Sequence, residues 1–367
     1  MANIINYINN YGDKNFKEEE LNILDISIIS ILSYLNFDGI LRPDRSVKLG
    51  DAVSIFFDRY TKKELSNHGL GLKDSYKIAE AIKDKKRFKD LDLYNYYYIT
   101  NHDIQFSAMF IDINKYLTII SIEGTDDEIA GWKEDFELSY KYPIPAQREC
   151  IRYLNENINL FNDRKYIICG HSKGGNLSLV GAMNLNMLKQ HKIKKVYSFD
   201  GPGLRKNEYN SYKYKYISNK LINIVPNYSI VGLLLNNPDD FMIVKSNKKG
   251  LRAHSIYNWS INDKDFDYTD ELSSFSIELD KTITKWIDNY DDDTRKIFVT
   301  DLFSIFDRCN ITSLERIHAA DIKAIMMVVK ESSNISTTTK DMIKDFINIL
   351  INIIKEDKFT FVKSKED

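Results

Sequence analysis

Tyr166-Ile-Ile-Cys-Gly-His-Ser-Lys-Gly-Gly-Asn-Leu-Ser-Leu-Val-Gly-Ala-Met183 is the stretch whose reading decides the fold. Its four apolar leading residues, Tyr166 to Cys169, predict a short buried strand. Gly170-His171-Ser172-Lys173-Gly174 then makes a sharp turn. Beyond it Leu177, Leu179, Val180, Ala182 and Met183 recur at helical spacing. Strand, G-x-S-x-G and helix in that order predict a nucleophile elbow, with Ser172 at its tip. The residue types suit that chemistry. A serine hydroxyl attacks only when a neighbouring base activates it, and the elbow exposes it to one. A turn this tight leaves little room for Cβ atoms at Gly170 and Gly174. Gly175 is a further small residue that lets the helix approach the sheet. The helix start aims free N–H groups, that of Lys173 included, at the place where an oxyanion would form.

Composition sets the wider frame. The chain has 367 residues and a formal charge of −2, from 51 basic and 53 acidic side chains. Neither nucleic acid nor an anionic surface is expected as a partner on bulk charge. Cys150, Cys169 and Cys309 are too few and too scattered for a disulfide framework or a zinc knuckle. No apolar run approaches the length of a membrane span, and the first residues lack a basic stretch followed by an apolar core. The expectation is a cytoplasmic protein with no stable membrane insertion. The abundance of Asn, Ile, Lys and Tyr fits an AT-rich bacterial genome.

Outward from the elbow the pattern divides the chain into three. Residues 1–90 read as a helical region packed on the core, with helices at Ile26–Leu35, Asp51–Tyr60 and Ser75–Ile82. Ser27, Ser30 and Ser33 form a thin polar stripe in the first of these. Residues 91–265 alternate strands and helices. Strands are expected at Tyr94–Thr100, Gln105–Ile113, Leu117–Ile122, Lys195–Phe199, Leu221–Val225 and Phe241–Lys245, with a turn at Asn101-His-Asp103 and a helix at Arg148–Leu160. This alternation predicts an α/β fold with a mostly parallel, doubly wound sheet. Residues 266–367 return to helical spacing at Phe275–Trp286, Thr294–Phe306, Ile322–Val329 and Lys340–Ile354, before a frayed tail at 363–367.

A serine nucleophile needs a histidine base and a carboxylate to orient it. Of six histidines, His254 follows the last sheet strand and fits the chain order Ser, acid, His. His68 and His102 precede Ser172, His191 is too near it in sequence, and His318 lies among the C-terminal helices. His171 sits inside the elbow with its side chain directed away from Ser172. Asp200 ends a strand in a rigid Asp-Gly-Pro-Gly turn and is the expected acid, with Asp239 and Asp240 as alternatives. A second oxyanion donor beside the Lys173 N–H is expected at Thr125, after the strand that neighbours the elbow. The Lys173 side chain opposes the helix macrodipole. The expectation is that it points to solvent; the alternative is that it attracts an acidic substrate group. The tyrosine-rich segment 209–216 reads as an amphipathic connector or as a lid.

Ile122-Glu-Gly-Thr-Asp126, Trp132-Lys-Glu-Asp-Phe136, Gly170-His-Ser-Lys-Gly-Gly175, Phe199-Asp-Gly-Pro-Gly203, Ser229-Ile-Val-Gly232 and His254 occur in that order. Together they resemble a bacterial lipase-like family of unknown function, related to the class 3 (fungal-type) lipases, over about residues 90–265. The resemblance implies an α/β-hydrolase fold, with Ser172 as nucleophile, His254 as base and Thr125 matching the oxyanion residue of the class 3 lipases. Those lipases carry their acid in an Asp-Ile-Val-Pro segment. Ser229-Ile-Val-Gly232 here has no carboxylate, so Asp200, one strand earlier, would have to serve. The expected activity is hydrolysis of a carboxylic ester, from a lipid or a small molecule, by a Ser-His-Asp triad with no metal or organic cofactor. A thioesterase, a peptidase, or a binding scaffold that keeps the fold without turnover are the rivals. The helical ends are candidate surfaces for a homo-oligomer.

Overall fold

Along the strand Lys165–His171, Tyr166 and Ile168 face one apolar core while Ile167 and Cys169 face another. A strand buried on both sides must read as a continuous apolar run, as this one does. The computed structural model describes residues 2–42, 45–66, 70–101, 103–126, 129–311, 319–331 and 335–363. His68, His102, His318 and the tail beyond 363 lie outside the described residues.

The strands are β1 (Val47–Lys48), β2 (Asp92–Asn101), β3 (Ile104–Asn114), β4 (Leu117–Ile122), β5 (Lys165–His171), β6 (Ile193–Phe199), β7 (Leu221–Pro226), β8 (Met242–Val244), β9 (Ile261–Asn262), β10 (Asp265–Phe266) and β11 (Tyr268–Thr269). Nine form one sheet in the order β1-β2-β3-β4-β5-β6-β7-β8-β11, and β9 pairs with β10 apart from it. Only β4 to β8 run parallel; β1 to β4 and the β8–β11 pair are antiparallel. The sheet is therefore mixed rather than mostly parallel.

It is not doubly wound either, and the strand order explains why. Strands added in one direction by right-handed crossovers place those crossovers on one face. On that face lie α7 (Pro145–Asn157), α8 (Lys173–Met183) and α11 (Tyr212–Ile217). The other face is covered by helices that come before β2 in the chain: α1 (Ile4–Tyr11), α2 (Ile23–Leu32), α3 (Leu49–Arg59), α4 (Lys62–Ser66) and α5 (Leu70–Ile82). α2 lies against β4 and β5 and is buried all round. Its serines do not face water. Each hydroxyl of Ser27, Ser30 and Ser33 bonds the carbonyl three residues back, which makes the buried stripe self-sufficient. The connector from 206 to 217, α10 (Lys206–Tyr209) and α11, packs Tyr214 and Ile217 against α8 and leaves Tyr212 exposed, so it behaves as an amphipathic connector.

α6 (Ile129–Glu137) joins this body to the C-terminal helices α12 (Ser274–Asp288), α13 (Asp292–Arg308), α14 (Ala319–Glu331) and α15 (Thr337–Lys363). Trp132 and Phe136 of α6 pack into a third apolar core around Phe298, Phe303 and Phe346. The short α9 (Met187–Gln190) lies between α8 and β6.

A buried ion pair ties the N-terminal layer together. Arg87 Nε and Nη2 donate to Asp25 at 2.7 and 2.5 Å, and both side chains are wholly buried. The remaining guanidinium N–H groups take the carbonyls of Lys14, Glu19 and Glu20. Tyr7 adds a hydroxyl to Asp25 at 2.8 Å. Asp25→Ala leaves that guanidinium buried without its counter-charge and is expected to cost ~3–5 kcal/mol in urea unfolding. Asp92→Ala, which breaks the exposed Lys48–Asp92 pair, should cost at most ~1 kcal/mol.

Candidate active site

Ser172 lies between β5 and α8 with φ 57° and ψ −135°, a conformation that L-residues rarely adopt. Two close approaches hold it. A Cβ on Gly170 would lie 2.2 Å from the Gly174 carbonyl oxygen, and one on Gly174 would lie 2.3 Å from that of Ile122. The Ser172 N–H donates to the Phe199 carbonyl at 2.9 Å, which joins the turn to β6. The glycines expected from the motif are thus required by the contacts they make.

Asp200 follows β6 at the same edge of the sheet, also at positive φ (49°). It is wholly buried and accepts three hydrogen bonds: from the Ser229 hydroxyl at 2.5 Å, from the Gly232 N–H at 3.1 Å and from His254 Nδ1 at 2.6 Å. All three partners donate, so the buried carboxylate oxygens are not left unsatisfied. Among the described residues, Asp200 is the carboxylate on His254; Asp239 and Asp240 are exposed in the loop before β8. Ser229 explains the departure from the Asp-Ile-Val-Pro pattern. It holds a donor, not an acid, and aims it at Asp200.

His254 ends the tight turn Gly250–His254 after β8. With Nδ1 on Asp200, its Nε2 is the ring nitrogen left for a proton from elsewhere. No hydrogen bond joins that nitrogen to Ser172 Oγ among the described residues. The His171 ring lies 4.4 Å from that of His254, centroid to centroid. His171 Nε2–H donates to the His254 carbonyl at 2.8 Å, since a carbonyl only accepts. That assigns the tautomer, leaving Nδ1 to accept from the Tyr34 hydroxyl at 3.0 Å. Burial, then the nearness of His254, holds His171 well below the usual imidazole range, so it stays neutral. The N-terminal layer therefore reaches the site through Tyr34.

Lys173 differs from expectation. Its side chain is wholly buried rather than solvated, and Nζ lies 3.0 Å from Glu134 Oε2 and 3.4 Å from Gln105 Oε1. Glu134 also accepts from the N–H groups of Gln105 and Ala146, which ties α6 to β3, α7 and the elbow. Burial alone would lower the ammonium, but Glu134 and Asp135 together outweigh it and keep Lys173 raised and charged. Thr125, after β4, donates its hydroxyl to Asp135 Oδ2 at 2.6 Å. That leaves its N–H, with the Lys173 N–H at the first position of α8, as the groups available to an oxyanion. Burial pushes Asp135 up to about 6, with Lys173 and the Thr125 hydroxyl opposing. Burial and the charge of Asp126 raise Glu123 well above the carboxylate range. Glu134 and Asp135 lie in the Trp132–Phe136 motif, but nothing in the sequence pairs them with a residue in the elbow.

The described cavities lie elsewhere. A polar crevice of about 280 Å³, lined by Lys133, Glu134, Glu137, Lys141 and Arg148 among others, does not include Ser172. α15 packs beside the turn that carries His254, and Ser172 itself is only 9% exposed.

A family model described as Mbeg1-like matches residues 82–304, a span that holds Thr125, Ser172, Asp200 and His254. The chain belongs to the Mbeg1-like family. Comparison with curated proteins gives no match. Three solved structures similar to this Mbeg1-like chain are lipases by title. The M37 lipase is 18% identical over 57% of this chain and 69% of its own, with a TM-score of 0.36. A fungal lipase in complex with an inhibitor is 14% identical over 60% and 77%, at 0.36. The Rhizomucor miehei lipase propeptide complex is 14% identical over 62% and 68%, at 0.37.

Two outcomes test this network. Lys173→Met strands Glu134 as a buried charge and should destabilise the fold by ~3–5 kcal/mol, whereas Lys173→Met with Glu134→Gln should recover part of that loss in urea unfolding. His171 concerns pH. The unfolded chain protonates this ring near pH 6.5 and the folded chain does not. Its contribution is complete above about pH 6.5 and declines below it by ~1.4 kcal/mol per pH unit until the folded value is reached. His171→Gln keeps a donor for the His254 carbonyl without a titrating ring. The stability gap between wild type and His171→Gln should therefore narrow by about that amount between pH 6.5 and 5.5.

Proposed function

We propose that this Mbeg1-like protein is a serine hydrolase of carboxylic esters, with Ser172 as nucleophile, His254 as base and Asp200 as acid. The observation that carries the reading is the 2.6 Å bond from His254 Nδ1 to the buried Asp200, beside a serine held in elbow geometry one strand away. Ser172 Oγ attacks the acyl carbonyl while His254 Nε2 takes its proton. Asp200 fixes the ring's tautomer and stabilises the imidazolium that forms. The N–H groups of Thr125 and Lys173 receive the oxyanion. His254 then returns its proton to the departing alkoxide, and the alcohol leaves. Water, deprotonated by the same ring, attacks the acyl-enzyme and frees the carboxylic acid and Ser172.

The substrate is an ester of a lipid or of an acylated small molecule, and a chain-length series of p-nitrophenyl esters sizes its acyl group. Wild type is expected to hydrolyse one range of the series and to be labelled by a fluorophosphonate at Ser172. Ser172→Ala and His254→Ala should abolish turnover, and Asp200→Asn should lower kcat by roughly 10³–10⁴. A wild-type protein that neither turns over the esters nor takes the label is a scaffold, and the reading fails.

A further inference from the structure

The end of the sheet opposite Ser172 combines charge and exposed apolar surface in a way the hydrolase reading does not use. β4, β5, β6 and β7 are parallel, so the segments leading into them gather at one edge. Hydrogen bonds confirm the grouping. Lys165 N–H donates to the Tyr116 carbonyl, Lys165 Nζ to that of His191, and Lys192 Nζ to that of Asn162. Lys220 Nζ takes the carbonyls of Gln190 and Ile193.

Residues 114–117, 159–165, 185–195 and 215–221 carry eight lysines and Arg164; Arg164 is ion-paired with Asp112, which leaves the eight lysines against a single carboxylate of these segments, Asp163, in a chain whose formal charge is −2. The lysines with recorded side-chain bonds here, Lys165, Lys189, Lys192 and Lys220, bond main-chain carbonyls, which satisfy the donors without neutralising the charge. Lys220 is pushed below the usual ammonium range by burial and then by the charge of Lys165, as expected of crowded like charges. Within this rim Phe161 at 98%, Leu188 at 67% and Met187 at 65% exposure stand out in solvent, with Tyr116 and Tyr216 exposed beside them.

We propose that this edge docks reversibly on an anionic lipid surface. Phe161, Met187 and Leu188 enter the headgroup boundary, while the lysines meet the lipid phosphates. Lysines ringing aliphatic and aromatic tips suit a bilayer interface, where apolar burial and electrostatic attraction act together. Phe161 stands with the aliphatic Met187 and Leu188, which suit acyl chains rather than base stacking, and this mixture favours a bilayer over a nucleic-acid groove. Docked this way, the protein turns its Ser172 edge away from the bilayer. Membrane docking is then a means of placing the protein, separate from how the site takes its ester.

Flotation of the full chain with vesicles tests this. Binding should be weak on phosphatidylcholine alone, strong when about a third of the lipid is phosphatidylglycerol, and lost as salt rises from about 0.1 to about 0.5 M. Lys115→Glu with Lys194→Glu should lower the partition constant at least about tenfold. Phe161→Ser, Met187→Ser and Leu188→Ser together should lower it similarly, and thermal unfolding checks that each variant folds. Absence of binding to the anionic vesicles overturns the proposal, and so does binding that survives both sets of changes. Retention on single-stranded RNA that the charge reversals abolish, without vesicle binding, would overturn it in favour of a nucleic-acid surface.

Discussion

The backbone of Ser172 is the constraint on which the rest of this structure depends. A serine at φ 57° costs on the order of 1–3 kcal/mol and persists only where its surroundings leave no alternative. Those surroundings come from distant parts of the chain. Gly170 and Gly174 remove the Cβ atoms that would collide, β4 supplies the carbonyl against which Gly174 packs, and β6 accepts the Ser172 N–H. The parallel pairing of β4, β5 and β6 is what brings the three together. The register that sets Gly170 beside Ile122 and His171 beside Phe199 also places Thr125 and Asp200 on either side of the serine.

The N-terminal layer belongs to the same arrangement rather than to a separate appendage. A Cβ on Gly124 would lie 2.2 Å from the Tyr34 hydroxyl, so Tyr34 occupies the space beside the Thr125 loop. That hydroxyl also sets the His171 ring, whose other nitrogen holds the main chain of His254. His254 is thus fixed twice, at its ring by Asp200 and at its carbonyl by His171. One bond holds the ring and the other the main chain that carries it, so both its orientation and its position are set.

What the sequence made legible follows from the range of the interaction concerned. Local patterns predicted the strand, tight turn and helix around Ser172 and most of the strands, because periodicity and glycine placement act over a few residues. Asp200 could be preferred over Asp239 and Asp240 from its rigid turn, though only the fold brings its carboxylate to His254. Lys173 was misread because the rule that solvates a lysine fails only when a counter-charge is buried with it, and Glu134 lies far earlier in the chain. Ser229 reads as a missing carboxylate, whereas its hydroxyl bonds the Asp200 carboxylate that follows the neighbouring strand. The sheet's winding was misjudged because strand-helix alternation does not reveal the order in which strands are added, and that order decides which face the crossovers cover.

Charge placement gives the molecule its direction. Around the elbow, Glu123, Glu134 and Asp135 gather about the single buried ammonium of Lys173, and burial raises Glu123 and Asp135 so that fewer negative charges need coexist. This region has little room for an added fixed charge, and the Asp200 carboxylate beside it is taken up by hydrogen bonds from Ser229, Gly232 and His254. At the opposite edge the lysines are fixed by carbonyls, which hold the side chains in place and leave the positive potential open to solvent. One sheet therefore carries a balanced, dry cluster at its C-terminal edge and an unbalanced, exposed one at its N-terminal edge. Residues that answer to opposite electrostatic demands are separated by the length of the parallel strands, so a substitution in either cluster leaves the other's contacts in place.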